Sequence, residues 1–293
     1  MKLTVFTPTY NRGELLERLY QSLCVQDCAD FCWLIVDDGS EDQTEKIVKN
    51  YIEEEKIKIL YYKQQNSGKH VAHNLGVELC TTELFFCVDS DDYLTQNAIN
   101  DILEFWNKIT EKEKEKLSGI VAYRGTKKGE IIGTDFPENI KKSPLSKLYK
   151  LGKKGDTALI FRTEILKKYP FPVFDGEKFL RENLVYDQID EEYSLLVLRK
   201  IIYVGEYFDD GLSKNATFLE MKSPKGAALY RYNEYLKNKK NRYGIRQLAG
   251  YIFFSIKGGN FKNVWKQIGI VKCILLLPLV FVGALRYKII LKE

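Results

Sequence analysis

The stretch that decides the fold is Leu84-Phe85-Phe86-Cys87-Val88, which runs directly into Asp89-Ser90-Asp91-Asp92. An uninterrupted apolar run of this length, ended by polar residues, predicts a buried strand of an α/β sheet. The acids then lie where the strand ends, which is the edge at which such sheets bind ligands. Three carboxylates in four residues repel one another unless a cation lies among them, and a divalent cation carrying a phosphate is the natural occupant. A solvated acidic turn is the alternative, and these residues alone do not decide between the two.

The sequence before this run alternates apolar segments with amphipathic ones, which predicts a parallel, doubly wound α/β sheet. The predicted strands are residues 3–7, 31–36, 58–62 and 84–88, and the predicted helices are residues 14–26, 44–54 and 71–79. Polar clusters follow these strands near residues 8–12, 37–40, 66–70 and 89–92. Because the carboxyl ends of parallel strands meet at one edge of a sheet, we expect the four clusters to share a crevice.

The second half of the chain is less regular. Strands are predicted at residues 120–123 and 155–161, and a helix at residues 163–168. Residues 179–182 are predicted to precede a helical stretch that runs through about residue 198, and a late strand follows at residues 201–207. From about residue 224 the pattern is helical, with breaks expected at Gly258-Gly259 and at Pro278.

The net charge of +5 is the sum of a net negative first part of the chain and a strongly positive last part. Residues 221–293 carry 15 basic and 2 acidic side chains, whereas residues 1–220 carry 30 basic and 38 acidic ones. We therefore predict an α/β domain over residues 1–220, with halves 1–110 and 111–220, and a helical, basic, apolar extension over residues 221–293. No nucleic-acid-binding motif accompanies the basic charge, so a nucleic-acid partner is not expected.

Two of the polar clusters suit the binding of a nucleotide. The carboxylates of Asp37-Asp38-Gly39-Ser40 can accept hydrogen bonds from a base or a ribose, although a helix-capping turn would look the same. Asn66-Ser67-Gly68-Lys69-His70 precedes a helix, so its backbone N–H groups and Lys69 could bind an anion. It lacks the spacing of a P-loop, and a plain capping loop is the alternative.

Four motifs in this order resemble glycosyltransferase family 2. They are Thr7-Pro8-Thr9-Tyr10-Asn11-Arg12, Val36-Asp37-Asp38-Gly39-Ser40, Asn66-Ser67-Gly68-Lys69-His70 with Ala72 and Asn74, and Val88-Asp89-Ser90-Asp91-Asp92. The resemblance is firm over residues 1–110 and looser to about residue 215. It implies the GT-A fold, a Rossmann-like nucleotide-sugar-binding domain, and inverting transfer of a sugar from a nucleotide donor with the help of Mn²⁺ or Mg²⁺.

The resemblance also implies a role for each residue of the donor site. The nucleotide-sugar-binding residues would be Thr7, Pro8, Tyr10, Arg12, Asp38, Lys69, Asp89, Ser90 and Asp92. Asp91 would ligate the metal, and Asp89 would be a weaker second ligand that lies toward the ribose. Asp209-Asp210-Gly211-Leu212-Ser213 resembles a late motif of the family and is expected to close over the diphosphate.

Inversion requires a general base opposite the leaving group, so the base should come from the second half of the chain. Pro170-Phe171-Pro172 and the following residues resemble the acceptor-side segment of the family. Within that segment Glu182 is the preferred base, and Asp187 and Glu177 are the alternatives. The other interpretation of Glu182 is an acid in the first turn of a helix, where a negative charge is favourable.

The expected function is transfer of a single sugar, since the QxxRW signature of processive members of the family is absent. The donor is expected to be UDP-linked, and the acceptor a glycan or lipid-linked glycan of a cell-surface polysaccharide. Two rival interpretations are a nucleotidyltransferase and a non-catalytic, membrane-associated scaffold. The first residues lead straight into a strand without a signal peptide, so the expected location is cytoplasmic, peripherally attached to the inner face of the membrane.

The C-terminal extension is the basis of that expected attachment. Residues 273–285 carry no charge but are fewer than the 20 or so apolar residues that a spanning helix needs, and Pro278 interrupts them. Basic residues interleaved with aromatic and aliphatic ones predict an in-plane anchor on an anionic membrane surface. The alternatives are a helical bundle that forms a homo-oligomer and ordinary core packing.

Overall fold

The structure, a computed structural model, describes residues 1–205 and 215–290. The strands of these residues are β1 (Leu3–Thr9), β2 (Phe31–Asp37), β3 (Ile59–Lys63), β4 (Leu84–Cys87), β5 (Tyr93–Leu94), β6 (Leu117–Gly125), β7 (Lys142–Ser143), β8 (Thr157–Arg162) and β9 (Ser194–Val204). The α-helices are α1 (Leu16–Cys24), α2 (Thr44–Glu53), α3 (Lys69–Leu79), α4 (Ala98–Asn107), α5 (Glu111–Lys114), α6 (Leu145–Lys150), α7 (Thr163–Lys168), α8 (Asn183–Glu192), α9 (Ala216–Lys222), α10 (Pro224–Lys237), α11 (Arg242–Lys257), α12 (Phe261–Ile268) and α13 (Ile270–Ile290).

One mixed sheet contains all of these strands, in the order β3-β2-β1-β4-β8-β6-β9-β5, with β7 paired to β9. The strands β3, β2, β1 and β4 are parallel, so the predicted parallel, doubly wound half is confirmed. Because β8 is antiparallel to both β4 and β6, and β9 is parallel to β6, the strands β4, β6 and β9 run in the same direction. Their carboxyl ends therefore lie along one edge together with those of β1 and β2.

Aromatic side chains fill the core beside the parallel half of the sheet. Tyr20 of α1 stacks on Tyr51 of α2 with ring centroids 3.9 Å apart, and Trp33 of β2 lies next to both rings. Trp33 and Tyr20 are completely buried. Burial of such large apolar surfaces stabilises the sheet and helices strongly, which makes the strand ends a rigid support for side chains at the edge.

Two sequence-based expectations are wrong. The helix expected to continue to about residue 198 ends at Glu192, because residues 195–198 pair with β6 as a strand buried on both faces. Such a strand is apolar throughout and shows no alternation, so its sequence resembles a buried helix. The break expected at Pro278 is also absent, since α13 continues through it. The proline removes a single backbone donor, and the apolar helix formers on both sides maintain the helix.

The chain divides into two compact units. The first contains Met1–Pro170 and Val185–Tyr207, and the second contains Phe171–Leu184 and Phe208–Glu293. The predicted division at residue 220 stays a prediction. The second unit has its own apolar core, in which Ile252 and Phe254 of α11 are fully buried. None of the helices in residues 1–205 and 215–290 combines the length and the hydropathy needed to cross a bilayer.

Candidate active site

The three acids after β4 lie at the carboxyl edge of the sheet, and each has a basic partner. The carboxylate of Asp89 pairs with Lys69, that of Asp91 with Arg12, and that of Asp92 with Arg124. These partners come from three different elements: the start of α3, the loop after β1, and the end of β6. The mutual repulsion of the acids is therefore balanced by cations that the chain itself supplies.

The Lys69–Asp89 pair is accessible from solvent. Lys69 Nζ lies 2.7 Å from Asp89 Oδ1, and the two side chains are 28% and 35% exposed. Lys69 is the first residue of α3 and follows Gly68, whose φ of 99° is one that L side chains rarely adopt. Burial alone would raise the pKa of Asp89, but the Lys69 ammonium outweighs this effect and holds the pKa below its usual value. Asp89 is therefore a carboxylate at neutral pH.

Two arginines hold Asp91. Arg12 Nη1 donates to Asp91 Oδ2 over 2.8 Å, and Arg18 Nη2 of α1 donates to the backbone carbonyl of Asp91 over 2.6 Å. The loop that carries Arg12 is fixed by Asn11, which has a φ of 50°. Asn11 donates its backbone N–H to Ser40 Oγ over 2.8 Å. The polar clusters after β1, β2 and β4 therefore form one connected arrangement, as their position at the strand ends predicted.

Asp92 lies deeper, in a hydrogen-bonded network. Arg124 Nη2 and the Tyr203 hydroxyl both donate to Asp92 Oδ2 over 2.6 Å, and the Arg124 guanidinium lies 4.2 Å from the centre of the Tyr203 ring. The Tyr203 hydroxyl also accepts the backbone N–H of Asp89 at 3.1 Å. Burial raises the pKa of Asp92 to about 6, although the charge of Arg124 opposes the shift. Tyr203 therefore ties the backbone of the acidic turn to the side chain of Asp92.

Asp38 fixes the loop before α3. Its Oδ1 accepts from Gln64 Nε2 at 2.7 Å and from the Ser67 N–H at 2.8 Å, and its Oδ2 accepts from the Gly68 N–H at 2.7 Å. A carboxylate offers about four acceptor positions, so most of those of Asp38 are used by the protein. The predicted contact between Asp38 and a base stays a prediction, and a base would meet a carboxylate that already receives three hydrogen bonds.

The remaining donor-site residues differ in accessibility. Thr7 is fully buried, and its Oγ1 accepts a hydrogen bond from Trp33 Nε1 over 2.9 Å. Its side chain therefore belongs to the hydrogen-bonded core. Pro8 lies on β1 opposite Val36. Ser90 is buried within the acidic turn, whereas Tyr10 is exposed in the loop after β1. The structure thus places Tyr10 where a ligand could contact its ring.

The candidate bases belong to different units. Glu182 is exposed and lies in the second unit, one residue before α8, and Asp187 is half-buried on α8 in the first unit. Two contacts hold the segment before Glu182. Glu177 accepts the backbone N–H groups of Lys225 and Gly226 at 2.7 and 2.8 Å. Arg181 pairs with the buried Glu220. The base roles stay predictions, and the motif at 209–213 lies outside the described residues.

Sequence reasoning missed three residues of this arrangement, namely Arg18, Arg124 and Tyr203. Arg124 stands next to the end of β6, which is the same kind of position that pointed to Asp89, but a single arginine forms no motif. Tyr203 lies in the part of β9 that was predicted as a strand, yet nothing in its sequence indicates that it contacts a residue 111 positions away. Arg18 is one of several polar residues on α1, and no feature of the local sequence indicates that it contacts the acidic turn.

A divalent metal fits the chemistry of this edge in part. Asp89 and Asp91 offer the carboxylate oxygens that Mn²⁺ and Mg²⁺ prefer. Within the described part of the chain, no group of three or more His, Cys, Asp or Glu side chains could hold a metal ion on its own. A metal held by Asp89 and Asp91 would need further ligands, such as the oxygens of a bound diphosphate.

The sequence model of Glycosyl transferase family 2 matches residues 4–167, which is more than half of the chain. The chain belongs to glycosyltransferase family 2. This family 2 chain is 25% identical over 234 residues to the poly(ribitol-phosphate) beta-N-acetylglucosaminyltransferase TarS of Staphylococcus aureus, covering 75% of the chain and 39% of TarS. It is 32% identical over 147 residues to the GalNAc(5)-diNAcBac-PP-undecaprenol beta-1,3-glucosyltransferase of Campylobacter jejuni, covering 46% and 47%. The chain thus spans less than half the length of either relative.

Solved structures show the same fold. The family 2 chain matches S. aureus TarS in complex with UDP-GlcNAc with a TM-score of 0.58 at 18% identity, over 92% of this chain and 90% of that one. It matches the mannosyltransferase PcManGT from Pyrobaculum calidifontis, in complex with GDP-Man and Mn²⁺, with a TM-score of 0.54 at 15% identity, over 98% and 82%. The predicted GT-A fold and family membership are therefore confirmed.

Proposed function

We propose that this chain transfers a single sugar, with inversion, from a UDP-linked donor to a glycan or lipid-linked acceptor of a cell-surface polysaccharide. The observation that carries the proposal is the row of three acids at the carboxyl edge, each paired with a basic side chain. Family membership supports glycosyl transfer. The UDP-GlcNAc bound to TarS supports a UDP-linked donor, and the undecaprenol-linked acceptor named for the C. jejuni relative supports a lipid-linked acceptor.

The diphosphate of the donor would meet Lys69 and Arg12. Both cations are partly exposed at the edge of the sheet, and Lys69 stands at the N-terminus of α3, where backbone N–H groups favour anions. In the structure Lys69 forms an ion pair with Asp89, and Arg12 forms one with Asp91. A diphosphate offers several oxygens of the same charge, so each cation can exchange a carboxylate for a phosphate without losing a charge-assisted hydrogen bond.

The same exchange would release the two carboxylates for a metal. Asp91, with Asp89, would hold Mn²⁺ or Mg²⁺, which when bound stabilises the negative charge that develops on the departing nucleotide. Asp92 keeps its buried contact with Arg124 throughout, and the Tyr203 hydroxyl holds the backbone of Asp89 in place. The buried pair thus positions the acidic turn while the exposed pairs contact the donor.

The acceptor hydroxyl needs a base that removes its proton as the new bond to the sugar forms. Glu182 is the preferred residue, since it is exposed and its segment is anchored through Arg181 and Glu177. Asp187 is the alternative. Glu182→Gln should lower the rate of transfer to an acceptor and leave donor binding unchanged, and the same result with Asp187→Asn alone would assign the base to Asp187.

The donor site is tested with a panel of UDP-sugars, by measuring release of UDP with Mn²⁺ and with EDTA. Wild-type protein should release UDP from at least one donor in the presence of Mn²⁺, and Asp91→Asn should lower that rate by about a hundredfold or more. Asp30→Asn is the matched control, because Asp30 precedes β2 at the opposite edge of the sheet. Undiminished turnover in Asp91→Asn would contradict the site, and no turnover with any donor would contradict the function.

A further inference from the structure

Helix α13 exposes an apolar surface that is unusual for a helix on the outside of a protein. Between residues 270 and 285, nine large apolar side chains of the described region are 43–72% exposed. They are Ile270, Val271, Ile274, Leu275, Leu277, Leu279, Phe281, Val282 and Leu285. Soluble proteins seldom leave contiguous apolar patches larger than a few hundred Å² uncovered, and those that do use them for binding.

Among the α13 side chains that the structure describes, a narrow stripe packs against the rest of the second unit. Cys273 and Val280 are buried, Tyr287 is partly buried, and these positions are seven residues apart. Tyr287 stacks on Phe253 of α11 with ring centroids 5.3 Å apart. A surface helix with one such stripe ordinarily carries polar residues on its other side. Here that other side is apolar as well, so its composition is not explained by the packing of the unit.

The charged side chains of this part of the sequence are all of one sign. Residues 235–292 contain twelve Lys or Arg residues and no Asp or Glu. Lys257, Lys262, Lys266 and Lys272 are exposed on α11, α12 and α13. Trp265 of α12 is also exposed and lies edge-on to Phe261, with ring centroids 5.0 Å apart. Exposed tryptophan and lysine around an apolar helix are the features of a segment that lies in the interface of a bilayer.

We propose that α12 and α13 form a membrane-binding surface whose partner is an anionic phospholipid bilayer, with α13 lying in the plane of the interface. A second copy of the chain would also cover the apolar residues, but it would bring two unbalanced basic surfaces together. Anionic head groups match both properties at once, since they neutralise the lysines while the acyl chains receive the apolar side chains. The membrane-binding surface rests on the proposed function only for the expectation that the protein acts at a membrane. The residues of α12 and α13 lie outside the donor site.

The experiment is co-sedimentation of the full chain with vesicles of phosphatidylcholine, with or without about one-third phosphatidylglycerol. The wild-type chain should sediment with the anionic vesicles and remain in the supernatant with the neutral ones. Leu275→Asp/Phe281→Asp should lower the bound fraction about tenfold or more, because both side chains are among the most exposed of α13 and lose their apolar contact with lipid. Val25→Asp/Val173→Asp adds the same charge at residues 57% and 58% exposed elsewhere and should bind like wild type.

Three results would overturn the proposal. They are absence of wild-type binding to anionic vesicles, undiminished binding of the α13 variant, and a wild-type oligomer that the α13 variant dissociates in the absence of vesicle binding. Release of UDP from the donor, measured on the same preparations, separates this inference from the proposed function. An α13 variant that releases UDP at the wild-type rate shows that any loss of vesicle binding does not come from misfolding of the donor site.

Discussion

Replacing Arg124 by methionine should destabilise the first unit far more than an ordinary surface substitution. The Asp92 side chain is 4% exposed, and its carboxylate lies 2.6 Å from the Arg124 guanidinium. Removing one member of a buried ion pair leaves an uncompensated charge, which costs about 3–5 kcal/mol. The hydrogen bond from Tyr203 remains and Asp92 can take up a proton, so we expect a loss of about 3 kcal/mol.

Urea unfolding followed by tryptophan fluorescence measures this loss. Trp33 and Trp106 are almost completely buried in the first unit, so their emission reports its unfolding. Arg124→Met/Asp92→Asn removes the charge together with its partner and should recover most of the stability, with a coupling of about 2 kcal/mol. Lys56→Met, which breaks an exposed pair with Glu54, should leave the unfolding free energy unchanged. A loss below about 1 kcal/mol in Arg124→Met, or a double variant with additive losses, would refute the reasoning.

Three further outcomes are expected. Asp38→Asn places an amide against the N–H donors of the loop before α3, and should cost about 1–3 kcal/mol of stability in urea unfolding and weaken donor affinity in calorimetry. Gly76→Ala would set a Cβ 2.3 Å from the buried ring of Phe6, so calorimetry should show a lower Tm, and an unchanged Tm would contradict the packing. Burial lowers the pKa of His73 to about 3, so the neutral form is required in the folded state. Stability is then full above the unfolded pKa near 6.5 and falls by about 2 kcal/mol between pH 7 and pH 5, and His73→Leu should flatten that slope.

The sequence carries most of the information about the parallel half of the sheet. There each strand is a short apolar run and each helix has its own amphipathic stripe, so local patterns predict both elements and the edge where Lys69 and Asp89 meet. The prediction fails in the first part of β9, at residues 195–198, where burial on both faces removes the alternation that identifies a strand. It also fails at Pro278, because the helix tolerates a lost hydrogen bond that a local rule counts as a break.

Local sequence patterns could not predict which residues pair with the acids after β4. Arg124 and Tyr203 are separated from Asp92 by 32 and 111 residues, and the pairing of β9 with both β6 and β5 brings the three residues together. A sequence shows that a buried carboxylate needs a donor, but the register of two strands decides which residue provides it. The same limit applies to Arg18, whose contact with the backbone of Asp91 depends on the position of a whole helix.

The acidic cluster shows why charge alone could not separate a metal site from an ion-paired turn. Three neighbouring carboxylates require positive charge, and the chain supplies it with side chains of its own. The ion pairs differ in whether their members can change partners. Asp92 and Arg124 are deeply placed and share the Tyr203 network, so neither can change partners without a large cost in free energy. Asp89 and Lys69 lie at the accessible edge, where in the proposed function a diphosphate and a cation would replace the two charges in a single exchange. The difference in burial is therefore our reason for proposing that Asp92 positions the turn and that Asp89 binds the donor.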